Sequence, residues 1–367
     1  MRKFVLVIAL FALLAANGCG GGSNPSSSST PVLFIYVVGQ NSQSIFSFGQ
    51  DSTNTVTSLA MNTNTTLRPS AALVHASKNF FYVANFGSDD VTKYSRDPNT
   101  GFLTPLGSIP PTPVGTGPVS LGSDAKGQFL YVLNQTSGSI SAFSVDSTRG
   151  LLTELAGSPF TTQANPASLA VSQSSAFLYV ANGALHSVSA FAMASNGTLS
   201  ELAGSPFDIG AGGNAAWVAV DPKGRFVYVA DFANNTIVGF AIQSGGGLAP
   251  LSGSPFPVGA TQPSGITMDS GGAFLYTANQ GSNSVSGFAV GAGSGALTAM
   301  AGSPFPSGGT QTSYVTIDSG NKFLYAGNPG AGNVGVSSID SSSGVLTQLS
   351  IPAFPVGTRP AWITTSH

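Results

Sequence analysis

His186 and Asp231 are the side chains of this sequence best suited to proton transfer. His186 lies in the segment NGALHSV, and Asp231 ends the segment FVYVAD. General acid–base chemistry needs a titratable pair held within reach of one substrate. The plainer alternative is a loop histidine with no positioned partner and an aspartate that caps a turn. Asp231 stands where Asn85, Asn134, Asn182, Asn279 and Asn328 stand in related segments, which suits the turn role. A second constellation is Arg68 and Arg359 with Trp217, Tyr314 and Trp362. A guanidinium beside aromatic rings can bind a carboxylate or phosphate while a planar or sugar ring stacks. The alternative for the three rings is packing. No Cys/His cluster, haem-attachment motif or Ser-His-Asp arrangement is present, so no metal or cofactor is expected.

These residues must be positioned by a repeat. FLYVAN at 177–182 returns as FIYVVG at 34, FFYVAN at 80, FLYVLN at 129, FVYVAD at 226, FLYTAN at 274 and FLYAGN at 323. The central tyrosines, Tyr36, Tyr82, Tyr131, Tyr179, Tyr228, Tyr276 and Tyr325, recur every 46–49 residues. A period in the forties made of short strands predicts a propeller. Alternation and turn residues divide one period into four strands, lettered a to d outward from the axis. In residues 166–207 these are PASLAVS, FLYVAN, SVSAFAM and LSELAGSPF, the last after an Asn196-Gly197 turn.

The chain ends predict closure. The first repeat begins at strand b, while PAWITTS at 360–366 reads as a strand a with no strand b after it. Joined, the two halves complete a blade and remove an open edge. The expected fold is therefore all-β: seven four-stranded antiparallel blades spanning 32–366, with the C-terminal strand in blade 1.

Aligned on Pro69, Pro118, Pro166, Ala215, Pro263, Thr312 and Pro360, the strands a show an apolar column three residues on, at Ala72, Leu121, Leu169, Val218, Ile266, Val315 and Ile363. Period-two alternation buries this column between blades and turns the opposite face to the central channel. The upper channel ring would then be Ala71, Ser120, Ser168, Trp217, Gly265, Tyr314 and Trp362. Both tryptophans fall in this column. The residues just before the alignment points, Arg68, Gly117, Asn165, Asn214, Gln262, Gln311 and Arg359, would crown the channel mouth, with the two arginines on adjacent blades.

The strand b motif, the Gly-Ser-Pro-Phe exits at Ser158, Ser205, Ser254 and Ser303, and the period together resemble the seven-bladed lactonase-type propellers with Tyr-Val-Thr-Asn repeats, such as the 6-phosphogluconolactonase-like enzymes. The resemblance covers residues 32–366. It implies hydrolysis of a sugar or other lactone, with a His-x-His segment before one strand a and Gly-Pro-Arg-His before another. At those places this chain has Gly213-Asn214-Ala215-Ala216 and Gln262-Pro263-Ser264-Gly265.

The N-terminus reads MRKFVLVIALFALLAANGC. A basic start and an apolar run from Phe4 to Ala16, too short for a comfortable membrane span, predict an export leader over 1–18. Ala16-Asn17-Gly18-Cys19 resembles a bacterial lipobox, which implies cleavage before Cys19 and acylation of its thiol; an ordinary secretory leader cut nearby is the alternative. Cys19 is the one cysteine of the chain. Residues 19–31 read as a lipidated cysteine and a Gly/Ser-rich tether, its last twelve residues reaching roughly 17–21 Å. A bacterial protein anchored to its membrane, at the outer membrane or cell surface, and monomeric, is expected.

Only 7% of residues are charged and the formal net charge is −2, without any Lys/Arg cluster. Nucleic acid is excluded as a partner on that basis. The uncharged Gly/Ser/Asn/Pro loops suit a glycan, another small molecule or a protein surface at the mouth. Two functions follow: a binding or interaction module at the cell envelope, or a lactonase with a remodelled site using Arg68, Arg359 and His186.

Overall fold

The structure is a computed structural model and describes residues 31–59, 63–106, 111–174, 176–350, 354–357 and 359–366. The export leader, Cys19 and the tether to Thr30 lie outside the described residues.

Seven antiparallel sheets form the blades. Blade 4 shows the pattern: strand a Pro166–Val171, strand b Phe177–Asn182, strand c Ser187–Met193, then Leu199–Glu201 and Phe207–Asp208. Strand a of each blade contacts strand a of the next, and Pro360–Ser366 contacts both Tyr314–Ile317 and Pro69–Val74, so the ring closes. The closing strand pairs antiparallel with Leu33–Gly39 as expected, in a register that sets Tyr36 opposite Thr364 and Val38 opposite Trp362.

The outer strand departs from the expected single strand d. It is two short segments, both paired to strand c, with a turn between them. That interruption leaves a strand c N–H without a ladder partner. The serine of each Gly-Ser-Pro-Phe exit supplies it: Ser158 Oγ accepts from Ala142 N at 3.0 Å, and Ser205, Ser254 and Ser303 repeat the bond to Ala190, Gly239 and Gly287. An unpaired buried N–H is costly, and in blades 3 to 6 this serine removes that cost.

The repeated tyrosine joins blades. Tyr131 OH donates to Gly197 O, in the turn between strands c and d of the next blade, at 2.9 Å. Tyr36, Tyr82, Tyr179, Tyr228 and Tyr276 do the same to Gly101, Gly150, Gly246, Gly295 and Gly344. Each acceptor glycine has positive φ, and a Cβ there would stand 2.2–2.7 Å from the phenylalanine that begins the preceding strand b. Phenylalanine, tyrosine and glycine thus form one joint, repeated at six seams. Between the joints the blades bury a shared apolar layer; Leu133 and Ile140 of blade 3, for example, pack with Leu169 and Val180 of blade 4. The predicted column from Ala72 to Ile363 is buried throughout, each member no more than 6% exposed.

Candidate functional site at the channel mouth

The mouth is built on the crown residues. Arg68, Gly117, Asn165, Gln262, Gln311 and Arg359 all take positive φ, between 51° and 67°. Their backbones are gripped from both sides. The N–H of Gln262 donates to Asn235 Oδ1 at 2.8 Å, that of Gln311 to Asn283 Oδ1, and that of Gly117 to Asp89 Oδ1, each acceptor coming from the preceding blade. The crown carbonyls accept from the loop after strand b of their own blade, as Arg68 O does from Phe86 N and Gln262 O from Gln280 N. The crown is therefore a preset ring of side chains on fixed backbone.

A bulge follows the crown residue in every blade but the seventh. Pro166 pairs with Asn182, but Ser168 already pairs with Ala181, so two residues of strand a oppose one of strand b. This corrects the alternation expected of the channel rings. The bulged residue, such as Ser70, Val119, Ala167 or Ser264, is partly exposed, whereas Ala71, Ser120 and Ser168 of the expected upper ring are fully buried. Those serines turn sideways: Ser168 Oγ accepts from Val218 N at 2.8 Å and Ser120 Oγ from Leu169 N at 3.3 Å. Ser70 Oγ in turn donates to Pro118 O at 2.6 Å.

The three large members of that column meet. Trp217 lies 5.4 Å from Tyr314 and 5.2 Å from Trp362, and Tyr314 lies 4.7 Å from Trp362, between ring centroids. Trp217 belongs to blade 5, whereas its partners belong to blades 7 and 1. Its neighbours around the ring are blades 4 and 6, so the indole must reach across the channel. The rings pack on one another and on the cores of several blades. Tyr314 is 8% exposed and both tryptophans are partly buried. Burial raises the pKa of the Tyr314 hydroxyl.

The arginines do not join this cluster among the described residues. The Arg68 guanidinium sits 4.7 Å over the ring of Phe86. Arg359 is exposed, and its carbonyl accepts from Gln40 N at 3.1 Å. Asp231 is 1% exposed and its carboxylate is committed to the loop. Oδ1 accepts from Asn214 N at 2.8 Å and Asn234 N at 3.3 Å, and Oδ2 from Asn234 Nδ2 at 2.8 Å. His186 caps the short 3-10 turn Gly183–Leu185 with φ 51°. Its Nδ1 is buried without a hydrogen-bond partner among the described residues, and no bond joins it to Asp231.

A cavity of about 500 Å³ opens at the mouth between blades 5 and 6, lined by Phe232, Ala233, Asn235, Thr261, Gln262 and Gly281. It lies across the ring from Arg68 and Arg359. Gly281 makes its room: a Cβ there would stand 2.6 Å from Thr261 Oγ1 and 2.9 Å from Gln262 Oε1. Thr261 is tied to Ser282, and Asn235 spends its oxygen on the crown, which leaves an aromatic ring and side-chain amides to meet a ligand. No lining residue titrates near neutral pH. Alignment on strand a alone misses this hollow. The position after the strand b motif reads Gln40, Phe86, Gln135, Gly183, Phe232, Gln280 and Pro329, and only blades 2 and 5 place a benzyl ring there.

A family profile described as lactonase, seven-bladed β-propeller, matches residues 34–159 and 169–309. No curated protein matches the chain. Among solved structures, the fold is similar to a putative 6-phosphogluconolactonase from Bacteroides uniformis, with TM-score 0.79 at 18% identity over 91% of this chain and 99% of that one. A putative 6-phosphogluconolactonase from Bacteroides fragilis gives 0.76 at 18% identity, covering 94% and 100%. The periplasmic gluconolactonase of Pseudomonas aeruginosa gives 0.75 at 20% identity, covering 91% and 99%.

Proposed function

This chain belongs to the lactonase family of seven-bladed β-propellers, and from that premise we propose that it is an exported binding module whose mouth takes a neutral sugar-like ligand without hydrolysing it. The observation that carries the reading is the hollow between blades 5 and 6, where Phe232 meets Asn235, Thr261 and Gln262. An aromatic face beside amide and hydroxyl groups suits a sugar, whose C–H face packs on a ring while its hydroxyls bond at the edge. Lactone hydrolysis asks for more: a group to take or give a proton where the ring opens. Asp231 spends both oxygens on Asn214 and Asn234, and the segments where the family resemblance implies histidines hold Asn214 and Gln262. Arg68 and Arg359 add positive charge on the far side of the mouth and would admit a weakly anionic group there. Screening the protein against a glycan panel tests the reading: saturable binding that Phe232→Ala weakens supports it, and binding indifferent to that change counts against it.

Family membership favours the second reading, a lactonase acting on a sugar lactone with Arg68, Arg359 and His186 in a remodelled site. An acid-release assay separates the two. In either case we place the propeller at the bacterial envelope through acyl chains on Cys19, an address that Cys19→Ser would abolish by releasing the protein from the membrane fraction.

A further inference from the structure

The groups left unspent in the hollow between blades 5 and 6 have a definite chemistry. Asn235 Oδ1 accepts from the backbone N–H of Gln262 at 2.8 Å, and a donor at that end fixes which atom of the amide is oxygen. Asn235 Nδ2 remains as a donor. It has no partner among the described residues, and it is not one of the unpartnered atoms shut away from solvent. Gln262 is exposed, and its side-chain amide makes no hydrogen bond among the described residues, so it brings one acceptor and a second donor. Thr261 Oγ1 already shares a hydrogen bond with Ser282. No acid lines the hollow.

Donors therefore outnumber acceptors there. Each hydroxyl of a plain sugar brings a proton of its own and asks for an acceptor, and the hollow has no carboxylate to give. A carbonyl oxygen takes two N–H donors without bringing a proton. A ligand that carries one carbonyl oxygen and one N–H matches Asn235 Nδ2 and Gln262 Oε1 in turn.

The combination with a ring is particular to this seam. Asn283 Oδ1 accepts from Gln311 N in the same way between blades 6 and 7. There, Gln280 stands in place of Phe232, so the amide pair has no aromatic face beside it. Phe86 repeats the ring at blade 2, but Asp89 and Gly117 stand where the amides would be.

We propose that the hollow selects a sugar bearing an acetamido group, an inference that rests on the sugar-binding reading above. The C–H face of the sugar ring lies on Phe232. The acetamido carbonyl accepts from Asn235 Nδ2, its N–H donates to Gln262 Oε1, and its methyl meets the exposed Ala233. The group is uncharged, as a hollow without ionisable side chains requires.

N-acetylglucosamine and glucose, which differ at one ring substituent, are the probes. Their binding to the full-length protein is followed by saturation-transfer NMR. Asn235→Asp keeps an acceptor for the Gln262 backbone and removes the Nδ2 donor. Gln262→Met changes an exposed side chain and removes the acceptor. Wild type should bind N-acetylglucosamine saturably and about tenfold or more tighter than glucose, the scale of one or two hydrogen bonds. Each substitution should erase that preference. Equal affinity for the two sugars in wild type, or a preference that survives either substitution, overturns the acetamido inference and leaves the sugar-binding reading standing. Binding of neither sugar overturns the inference and the reading beneath it.

Discussion

The hydroxyl of Tyr131 reaches 2.9 Å to the carbonyl of Gly197, in the following blade and 66 residues along the chain. This contact, repeated at six seams, explains why the chain keeps rewriting one short strand: every copy but the last carries a phenylalanine and a tyrosine for a glycine in the next, while at the closing seam the turn position is Asn54 and Tyr325 bonds Gln50 Oε1. Tyr131→Phe should leave the Gly197 carbonyl buried and unpaired, costing about 1–3 kcal/mol by urea denaturation. Gly197→Ala should cost more than that, because its Cβ meets Phe129 and its φ is 84°. Equal stability of wild type and Tyr131→Phe would remove the joint from the account.

The same tyrosines set an upper pH limit. Burial raises the pKa of all seven, and for Tyr36 to about 12, partly offset by Arg96 beside it. A raised folded pKa means the fold favours the neutral phenol. That stabilisation is complete below about pH 10, the ordinary tyrosine value, and is lost as pH climbs through the folded value. Ultraviolet titration should therefore show most of the nine tyrosines ionising only with cooperative unfolding well above pH 10. Reversible ionisation near pH 10 in a folded protein would contradict it.

Much of this was legible in sequence because the signals were periodic. FLYVAN and its variants place strand b, the orphan strand at 360–366 predicts the closure, and the strand a column predicts the interblade layer. What escaped was local. The interrupted outer strand hid inside LSELAGSPF, since a serine side chain standing in for a ladder partner has no periodic signature. The bulge after the crown residue of most blades defeats alternation, so Ser120 and Ser168 look like channel residues and are instead buried ties between strands. Phe86 and Phe232 break the repeat at a position that strand a alignment does not compare. Asn54 looks like any turn residue until the glycines of the other seams show what it displaces.

Closure through the last strand makes a graded prediction. Removing residues 360–366 would unpair one edge of Leu33–Gly39 and strip the channel of Trp362. The thermal midpoint should fall far more than for a loop deletion of equal length. An unchanged midpoint would show that the ring does not depend on that strand.

The aromatic cluster can be weighed separately. Trp362→Ala should destabilise the propeller by up to about 3 kcal/mol, the lower end of the range for truncating a large buried ring, because Trp362 is partly exposed. Arg359→Ala, which removes an exposed side chain, should change stability little. Chemical denaturation of the two variants side by side checks this; the reverse order would mean the rings do not support the channel.

The most direct measurement of the central claim is acid release from δ-gluconolactone, followed with a pH indicator and compared with the spontaneous rate in buffer. A hollow that holds sugars through Phe232, Asn235 and Gln262, none of them a proton-transfer group, predicts release at the spontaneous rate at every protein concentration. Saturable release proportional to protein, and abolished by His186→Ala or Arg68→Ala, would contradict it and make this propeller an enzyme.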